Sequence, residues 1–416
     1  MRSIRSPLSG FRKLFQAATT TATNNAFDLT VETTASNESF LLPMLGVTSI
    51  DIDWGDGTVD TGITSDNPTH TYATAGTHAI SVTGSATAVS FYNTGSEGKL
   101  RTVTNLGALG WTSLYRAFRD CTSMTSFESG DTDTSSVTNM SQMFYACSSV
   151  TTLDVSGFDT SSVTNISRMF EGCSSVTTLD VSSFDTSSVT NMLSMFRNCS
   201  SLTILDVSGF DTSGVTRMDA MFFDCSSVTT LDVSGFDTSS VTNIGRMFQG
   251  CSSLTTLDVS GFDTSSVTNM GVMFYLCSSL TTLDVSGFDT SSVTRMDDMF
   301  SFCSSVTTLD VSGFDTSSVT NMIAMFRDCS SLENLDIDGW DVTSLASGGS
   351  FLLNTNNALT TAEYNATLIA WAAQSVQSNV TIHFGDAQYT AGGAAEAARN
   401  TLVSTYGWTI TDGGFI

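Results

Sequence analysis

CSSVTTLDVSSFDTSSVTNMLSMFRN, residues Cys173–Asn198, is followed at Cys199 by a near copy of itself, and this 26-residue step decides the fold. Phe118, Phe144, Phe170, Phe196, Phe222, Phe248, Phe274, Phe300 and Phe326 keep the step. So do Leu153, Leu179, Leu205, Leu231, Leu257, Leu283, Leu309 and Leu335. Each unit holds two periodicities. In TTLDVS, Leu153 and Val155 alternate with Thr152, Asp154 and Ser156, the pattern of a strand with one buried face. In VTNMSQMFYAC, the apolar residues Val137, Met140, Met143, Phe144 and Cys147 are spaced as on a short helix, with Asn139 as its N-cap. GFDTSS lies between strand and helix as a turn, where Gly157 permits an unusual dihedral and Asp159 can accept from the amides that follow.

A strand and a short helix in each unit predict an α/β solenoid. The expected form is a leucine-rich-repeat-like right-handed stack with one parallel sheet and short helices, its strands about 4.8 Å apart. One unit cannot stand alone, so neighbours must supply ladder hydrogen bonds and shared burial. The first unit, from Trp111, is degenerate, and the last places Trp340 where the others have phenylalanine, as end units do. The nine cysteines, Cys121, Cys147, Cys173, Cys199, Cys225, Cys251, Cys277, Cys303 and Cys329, recur once per unit. An odd number at this spacing, with no CxxC pair, argues for buried free thiols rather than a metal site; bridges between neighbouring coils are the alternative.

The flanks divide the chain further. Residues 1–26 form a basic arm with Arg2, Arg5, Arg12 and Lys13, and no apolar stretch of a signal peptide follows it. Residues 27–99 read as a β module: IDIDWGDGTV (Ile50–Val59) is a strand ending in a tight turn, and HTYATAGTHAISVTG (His70–Gly84) is a turn and a second strand. The solenoid occupies 100–346. Residues 347–416 leave the repeat and read as helix, strand, helix, strand over Thr361–Gln374, Val380–Phe384, Ala394–Gly407 and Trp408–Thr411, an α/β C-terminal cap that can add parallel strands to the open end.

Two family resemblances follow from these residues. Trp54-Gly55-Asp56-Gly57-Thr58, Pro68, His70-Thr71-Tyr72, Gly76 and the strand Ala79–Val82 resemble polycystic-kidney-disease (PKD) domains. That resemblance implies a small immunoglobulin-like β-sandwich acting as a spacer or adhesion module. The unit MFxxCSSLTTLDVSGFDTSSVTNM, from about Leu100 to Leu345, resembles BspA-like leucine-rich-repeat surface proteins. It implies surface display and adhesion to proteins, cells or glycans, and brings no catalytic residues. The usual members are exported and anchored, whereas neither signal is seen here. A particle assembled in the cytoplasm, such as a phage virion, is therefore expected to carry the chain.

Charge narrows the partners. With 41 acidic and 15 basic residues the formal charge is -26, which repels phosphate backbones and argues against nucleic acid. No apolar run is long enough for membrane insertion. His70, His78 and His383 recur with no serine or cysteine partner, and no phosphate loop or zinc motif is present, so the expectation is that the protein is not an enzyme. Two acidic rows run along the repeats, one containing Asp154, Asp180, Asp206 and Asp232, the other Asp159 and Asp185. Calcium bridging of the first row is one reading, and no other cofactor is expected. The other is that turn aspartates cap amides while strand aspartates face water. Four positions per unit vary, two before each Met-Phe pair and two after it. Tyr145, Arg168, Arg197, Phe223, Arg246, Tyr275, Phe302 and Arg327 stand there, on an expected outer stripe for contacts with a host-surface protein or glycan; drift of solvent-facing positions after duplication is the alternative. The basic arm is expected to dock onto virion or other assembly proteins, in a homo-oligomer within the assembly. The expected function is recognition or display as a virion-surface or tail-fibre protein. A bacterial cell-surface adhesin and a decoration protein without ligand are the alternatives.

Overall fold

The computed structural model describes residues 25–355 and 358–416. The basic arm, with Arg2, Arg5, Arg12 and Lys13, lies outside the described residues. The repeats stack as coils of a leucine-rich-repeat-like solenoid. Corresponding residues of successive coils pair in parallel, as in the bridges Asn139↔Asn165, Asn165↔Asn191 and Thr256↔Thr282.

The short helices expected in each coil are absent, and two turns stand in their place. Gln142 and Ala146 both have φ of 58°, and the same two positions are left-handed in later coils: Ser194 and Asn198 at 53° and 58°, Val272 and Leu276 at 63° and 61°. A right-handed helix cannot hold a left-handed residue in every turn. The amides of Met143, Tyr145 and Cys147 close onto carbonyls three residues back, at 3.2, 3.3 and 3.1 Å. Those of Met140, Gln142, Phe144 and Ala146 reach Asn165, Ser167, Met169 and Glu171 of the next coil, at 3.0, 2.9, 2.8 and 2.7 Å. Alternate amides thus serve the turn and the stack, and the segment becomes a second ladder between coils. Asn139 caps a turn rather than a helix: its Oδ1 accepts from the Ser141 amide at 2.9 Å. The apolar spacing still works, because Met140, Met143, Phe144 and Cys147 all remain fully buried.

The strands are shorter than one continuous parallel sheet requires. Along the solenoid they are β9 (Leu100–Asn105), β10 (Ser126–Glu128), β11 (Thr152–Asp154), β12 (Thr178–Leu179) and β13 (Ile204–Leu205); beyond these, pairing falls to isolated bridges such as Thr230↔Thr256. The cause is local. Asp154 folds back to accept from the Ser156 amide at 3.0 Å and its hydroxyl at 2.6 Å, which ends the extended run.

Upstream of the coils lie β1 (Phe27–Thr33), β2 (Glu38–Leu41), β3 (Met44–Leu45), β4 (Ser49–Asp53), β5 (Val59–Ile63), β6 (Thr69–Tyr72), β7 (Gly76–Ser85) and β8 (Ala88–Val89). A seven-stranded sheet runs β11-β10-β9-β1-β7-β4-β5. Strand β9 pairs antiparallel with β1 on one side and parallel with β10 on the other, so the sheet passes without a break from the N-terminal strands into the first coils. Gly55 sits at φ 76° where a Cβ would lie 2.3 Å from the Ala79 carbonyl, so the tight turn after Trp54 admits glycine alone.

The core is built of columns. Successive phenylalanines from Phe118 to Phe326 stack nearly parallel, as Phe144 and Phe170 do at 5.8 Å and 5°. All nine cysteines are free and buried. Each from Cys147 onward donates its thiol to the carbonyl of the preceding coil's phenylalanine, Cys147 to Phe118 at 3.0 Å and Cys329 to Phe300 at 2.9 Å. Thr355 continues the column, with its hydroxyl 2.7 Å from the Phe326 carbonyl.

The C-terminal segment holds α1 (Thr361–Ala372), β14 (Thr381–His383), α2 (Ala394–Ser404) and β15 (Thr409–Thr411). A capping box between Thr360 and Glu363 starts α1. Strands β14 and β15 pair in parallel, and the bridge Gly348↔Ile382 joins β14 to the last coil. Trp371 donates to the Ile337 carbonyl at 3.2 Å, and Gln374 spans the Trp340 carbonyl and the Val342 amide at 2.8 and 2.7 Å.

Candidate functional site

The variable positions fall into three columns on the turn segment. Tyr145, Arg197, Phe223, Tyr275 and Arg327 share one register, Arg168 and Arg246 a second, and Phe302 a third. All eight side chains are partly or fully exposed. Other variable positions point inward: Ser141, Ser194, Ala220, Ser301 and Ala324 are buried. The outer stripe is therefore narrower than four residues per coil.

The exposed residues gather into three clusters. Near the first coil, Arg119 lies over the rings of Tyr92 and Tyr145, at 4.2 and 4.4 Å. In the middle, Glu171 sits between Arg168 and Arg197 at 3.6 and 3.7 Å, and Arg197 lies 4.4 Å over Phe223. Burial pushes the Glu171 carboxyl above its ordinary range despite the two arginines. Toward the far end, Tyr275 and Phe302 meet edge to face at 5.5 Å, and Arg327 approaches Phe302 at 5.3 Å.

Between the middle and far clusters the turn segments leave a polar groove of about 310 Å³. Arg168, Arg197, Arg217, Arg246 and Arg295 line it, with Asn243 and Asn269. Sequence reasoning found three of those arginines. It missed Arg217 and Arg295, which stand in the column of Asn139, Asn165, Asn191, Asn243, Asn269 and Asn321. The signal was available: both arginines break that column, and both are followed two residues on by an aspartate. Arg295 forms a two-pronged pair with Asp297 at 3.0 Å, and Arg217 lies 3.6 Å from Asp219.

The acidic rows are committed to the turns. Asp154, Asp206 and Asp232 each accept from the amide and hydroxyl of the serine two residues on, and Asp180 accepts from the Ser182 amide. Asp185 does the same with Ser187, whose hydroxyl holds its carboxyl below the ordinary range. Strand aspartates thus cap as turn aspartates do. Among the described residues no three His, Cys, Asp or Glu side chains converge as a metal site would need.

The histidines have structural partners. His70 is 2.8 Å from Asp56 and stacks on Trp54 at 5.0 Å. His78 stacks on Tyr72 at 3.6 Å and meets Thr33 Oγ1 at 3.1 Å, while His383 accepts from the Gly385 amide at 2.9 Å. No helix among the described residues is long and apolar enough to cross a membrane.

No curated protein matches the chain. The crystal structure of the TLR13-ssRNA13 complex is similar at 11% identity, with a TM-score of 0.24 over 79% of this chain and 49% of that one. This chain thus spans about half the length of that solved chain. A family model for "Mycoplasma protein of unknown function, DUF285" matches residues 112–207, 179–279, 201–306, 253–365 and 277–391. Those overlapping matches run over more than half of the 416 residues, and the chain belongs to that family of repeat proteins.

Proposed function

We propose that this is a non-enzymatic recognition protein displayed on a virion surface or tail fibre, with the turn-segment stripe as its contact surface. One observation supports this most. Among the variable positions of the turn segment, Tyr145, Arg168, Arg197, Phe223, Arg246, Tyr275, Phe302 and Arg327 reach solvent, while the Asp-Ser rows are nearly uniform and bonded within their own turns. Tyrosine, phenylalanine and arginine are the residues that dominate contact surfaces. In this reading the arm bearing Arg2, Arg5, Arg12 and Lys13 attaches the protein to its assembly. The N-terminal strands act as a PKD-like spacer, and the C-terminal helices and strands cap the stack. The partner on the target is a host-surface protein or glycan, and copies assemble as a homo-oligomer. The bacterial cell-surface adhesin is the second reading; the resemblance of the repeats to BspA-like proteins favours it.

Binding of the purified chain to intact cells tests the contact surface. Replacing Tyr145, Phe223, Tyr275 and Phe302 by serine together should abolish binding and leave the melting temperature within a few degrees. Unchanged binding would overturn the stripe. Labelling of assembled phage particles with an antibody to the chain separates the two readings: decorated particles support the first, decorated bacterial cells the second.

A further inference from the structure

The groove between coils concentrates positive charge on a strongly acidic chain. Between residues 120 and 346 the cations are Arg168, Arg197, Arg217, Arg246, Arg295 and Arg327, and all but Arg327 line it. Three carboxylates pair with these five: Glu171, Asp219 and Asp297. Asp224 also interacts with Arg197, so five positive charges meet four negative ones, a local excess of one on a molecule of net charge -26.

The pairing within the groove is incomplete. Arg246 makes no ion pair among the described residues and is exposed. Arg197 Nε, Glu171 Oε2 and the groove-lining Asp219 Oδ1 are all buried without a hydrogen-bond partner, and Arg197 Nε lies 3.7 Å from Glu171 Oε1. That is too long for a hydrogen bond, and with its Nε enclosed Arg197 meets a ligand only through the part of its guanidinium that reaches solvent. The Arg197 guanidinium lies 4.4 Å over the Phe223 ring, which restrains its position.

Two glycines open the space. Gly245 and Gly271 occupy the register that holds Leu193, Asp219, Asp297 and Ile323 in other coils. Neither glycine has the left-handed φ that would demand its residue type. A Cβ at Gly245 would lie 3.1 Å from Asn243 Oδ1 and Asn269 Nδ2; the two Oδ1 atoms accept from the Gly245 and Gly271 amides, which leaves the Nδ2 groups to donate to hydroxyls.

We propose that this groove binds an acidic glycan, whose carboxylate or sulfate groups are received by Arg246 and Arg197 and whose hydroxyls face Asn243 and Asn269. The site deepens the recognition reading above and rests on it. Parallel coils repeat about every 4.8 Å, so the groove presents donors in steps that suit an extended oligosaccharide. Nucleic acid is the less fitting polyanion: its phosphates continue far beyond the groove, onto the acidic Asp-Ser rows.

Calorimetric titration of the full chain at low salt tests this, with a sulfated tetrasaccharide, a uronic-acid tetrasaccharide, a neutral tetrasaccharide and a short single-stranded oligonucleotide as probes. Variants are drawn from residues that other coils already carry in the same register. Arg246→Ala uses the residue at Ala220, Arg197→Gln that at Gln249, and Gly271→Leu that at Leu193. The expected result is binding of a charged tetrasaccharide at least tenfold tighter than the neutral one. Each variant should lose that binding by tenfold or more, with an unchanged melting temperature in Arg246→Ala and Arg197→Gln; Gly271→Leu places a Cβ 3.0 Å from Asp297 Oδ1 and is read only if it melts like the parent. Sulfated over carboxylated preference, or the reverse, identifies the anion. Equal binding of charged and neutral sugars, tighter binding of the oligonucleotide, no binding of either charged sugar, or variants that bind like the parent would each overturn the proposal. If the sugars fail while cell binding still depends on Tyr145, Phe223, Tyr275 and Phe302, the groove falls and the recognition reading stands.

Discussion

At the scale of single residues, the cysteine column shows how a repeat selects a residue type. The position needs a small side chain that fills apolar space and also satisfies the carbonyl of the phenylalanine one coil back. Cys199 does both, with its sulfur 3.1 Å from the Phe170 carbonyl, and Thr355 does so with oxygen. Burial pushes the Cys199, Cys251 and Cys329 thiols up to about 12, so the thiolate is scarce near neutral pH. A thiol-reactive disulfide should therefore label none of the nine cysteines in the native protein and all of them in denaturant. Rapid native labelling would mean that the coils open. Cys225→Ala removes one of two donors to the Phe196 carbonyl, which keeps the Cys199 amide at 3.2 Å, so the lost bond should cost only about 1 kcal/mol. Cys225→Ser keeps a donor and should cost less, as urea melts of the two variants would show.

The aspartates make a second case at this scale. Serine hydroxyls are the leading cause that holds Asp185, Asp211, Asp237, Asp263, Asp289 and Asp315 below the ordinary carboxylate value of 3.8; repulsion from neighbouring aspartates, where it acts, comes last. A carboxyl depressed in the folded state stabilises it fully above the unfolded value and loses that contribution as pH falls through the folded value. The melting temperature should accordingly hold from neutral pH to about 5 and drop below about 4. A rise on acidification would mean that repulsion within the rows outweighs the serine bonds. Because Asp154, Asp180, Asp206 and Asp232, the row read for calcium, are likewise engaged by serines, chelator and added calcium should both leave the melting temperature unchanged.

At the scale of elements, the turn segment explains what the sequence concealed. Apolar spacing of three and four residues fits a helix, but it fits two linked turns equally well, because both bring Met140, Met143, Phe144 and Cys147 to one side. The distinguishing signal lies in the last variable position. Gly172, Asn198, Asp224, Gly250, Asp328 and Asn354 stand there, residues that tolerate left-handed backbone. Leu276 and Phe302 in the same column weaken the signal. Gly172→Ala gives a test of sign. In a helix the change would stabilise by about 1 kcal/mol. At φ 79°, with a Cβ 3.2 Å from the Ala146 Cα, it should destabilise by about that amount or more. The strand face and the phenylalanine and leucine columns were legible because burial at a fixed register repeats in every coil. The groove was not, because it depends on side chains that are missing at Gly245 and Gly271 and on which coils happen to be neighbours.

At the scale of the molecule, every internal coil meets its neighbours through the same bonds. The Thr160 hydroxyl reaches the Asp185 carbonyl at 2.9 Å, Thr186 reaches Asp211 at 2.9 Å, and Thr212 reaches Asp237 at 3.0 Å. Neighbouring coils are thus interchangeable as partners, and the stack should behave as a sum of unit and interface energies. The ends are not interchangeable: β9 ties the first coils to β1, and Trp371 and Gln374 bond the Ile337 and Trp340 carbonyls of the last coil. These facts predict opposite outcomes for two deletions. Removing residues 251–276, one full coil, rejoins identical registers and should give a folded protein whose melting temperature falls by only a few degrees. Removing residues 251–263, half a coil, places strand residues against turn residues and sets Asp-Ser turns where the Phe248 column continues, so it should collapse cooperative melting. Removing the segment from residue 361 onward leaves the Ile337 and Trp340 carbonyls exposed with Trp340 beneath them. Melting should then begin at that end, seen as early loss of hydrogen-exchange protection in the last coils while the coils near β9 stay protected. Uniform loss along the stack would mean that the coils unfold as one unit, and that the nearest-neighbour picture is wrong for this chain.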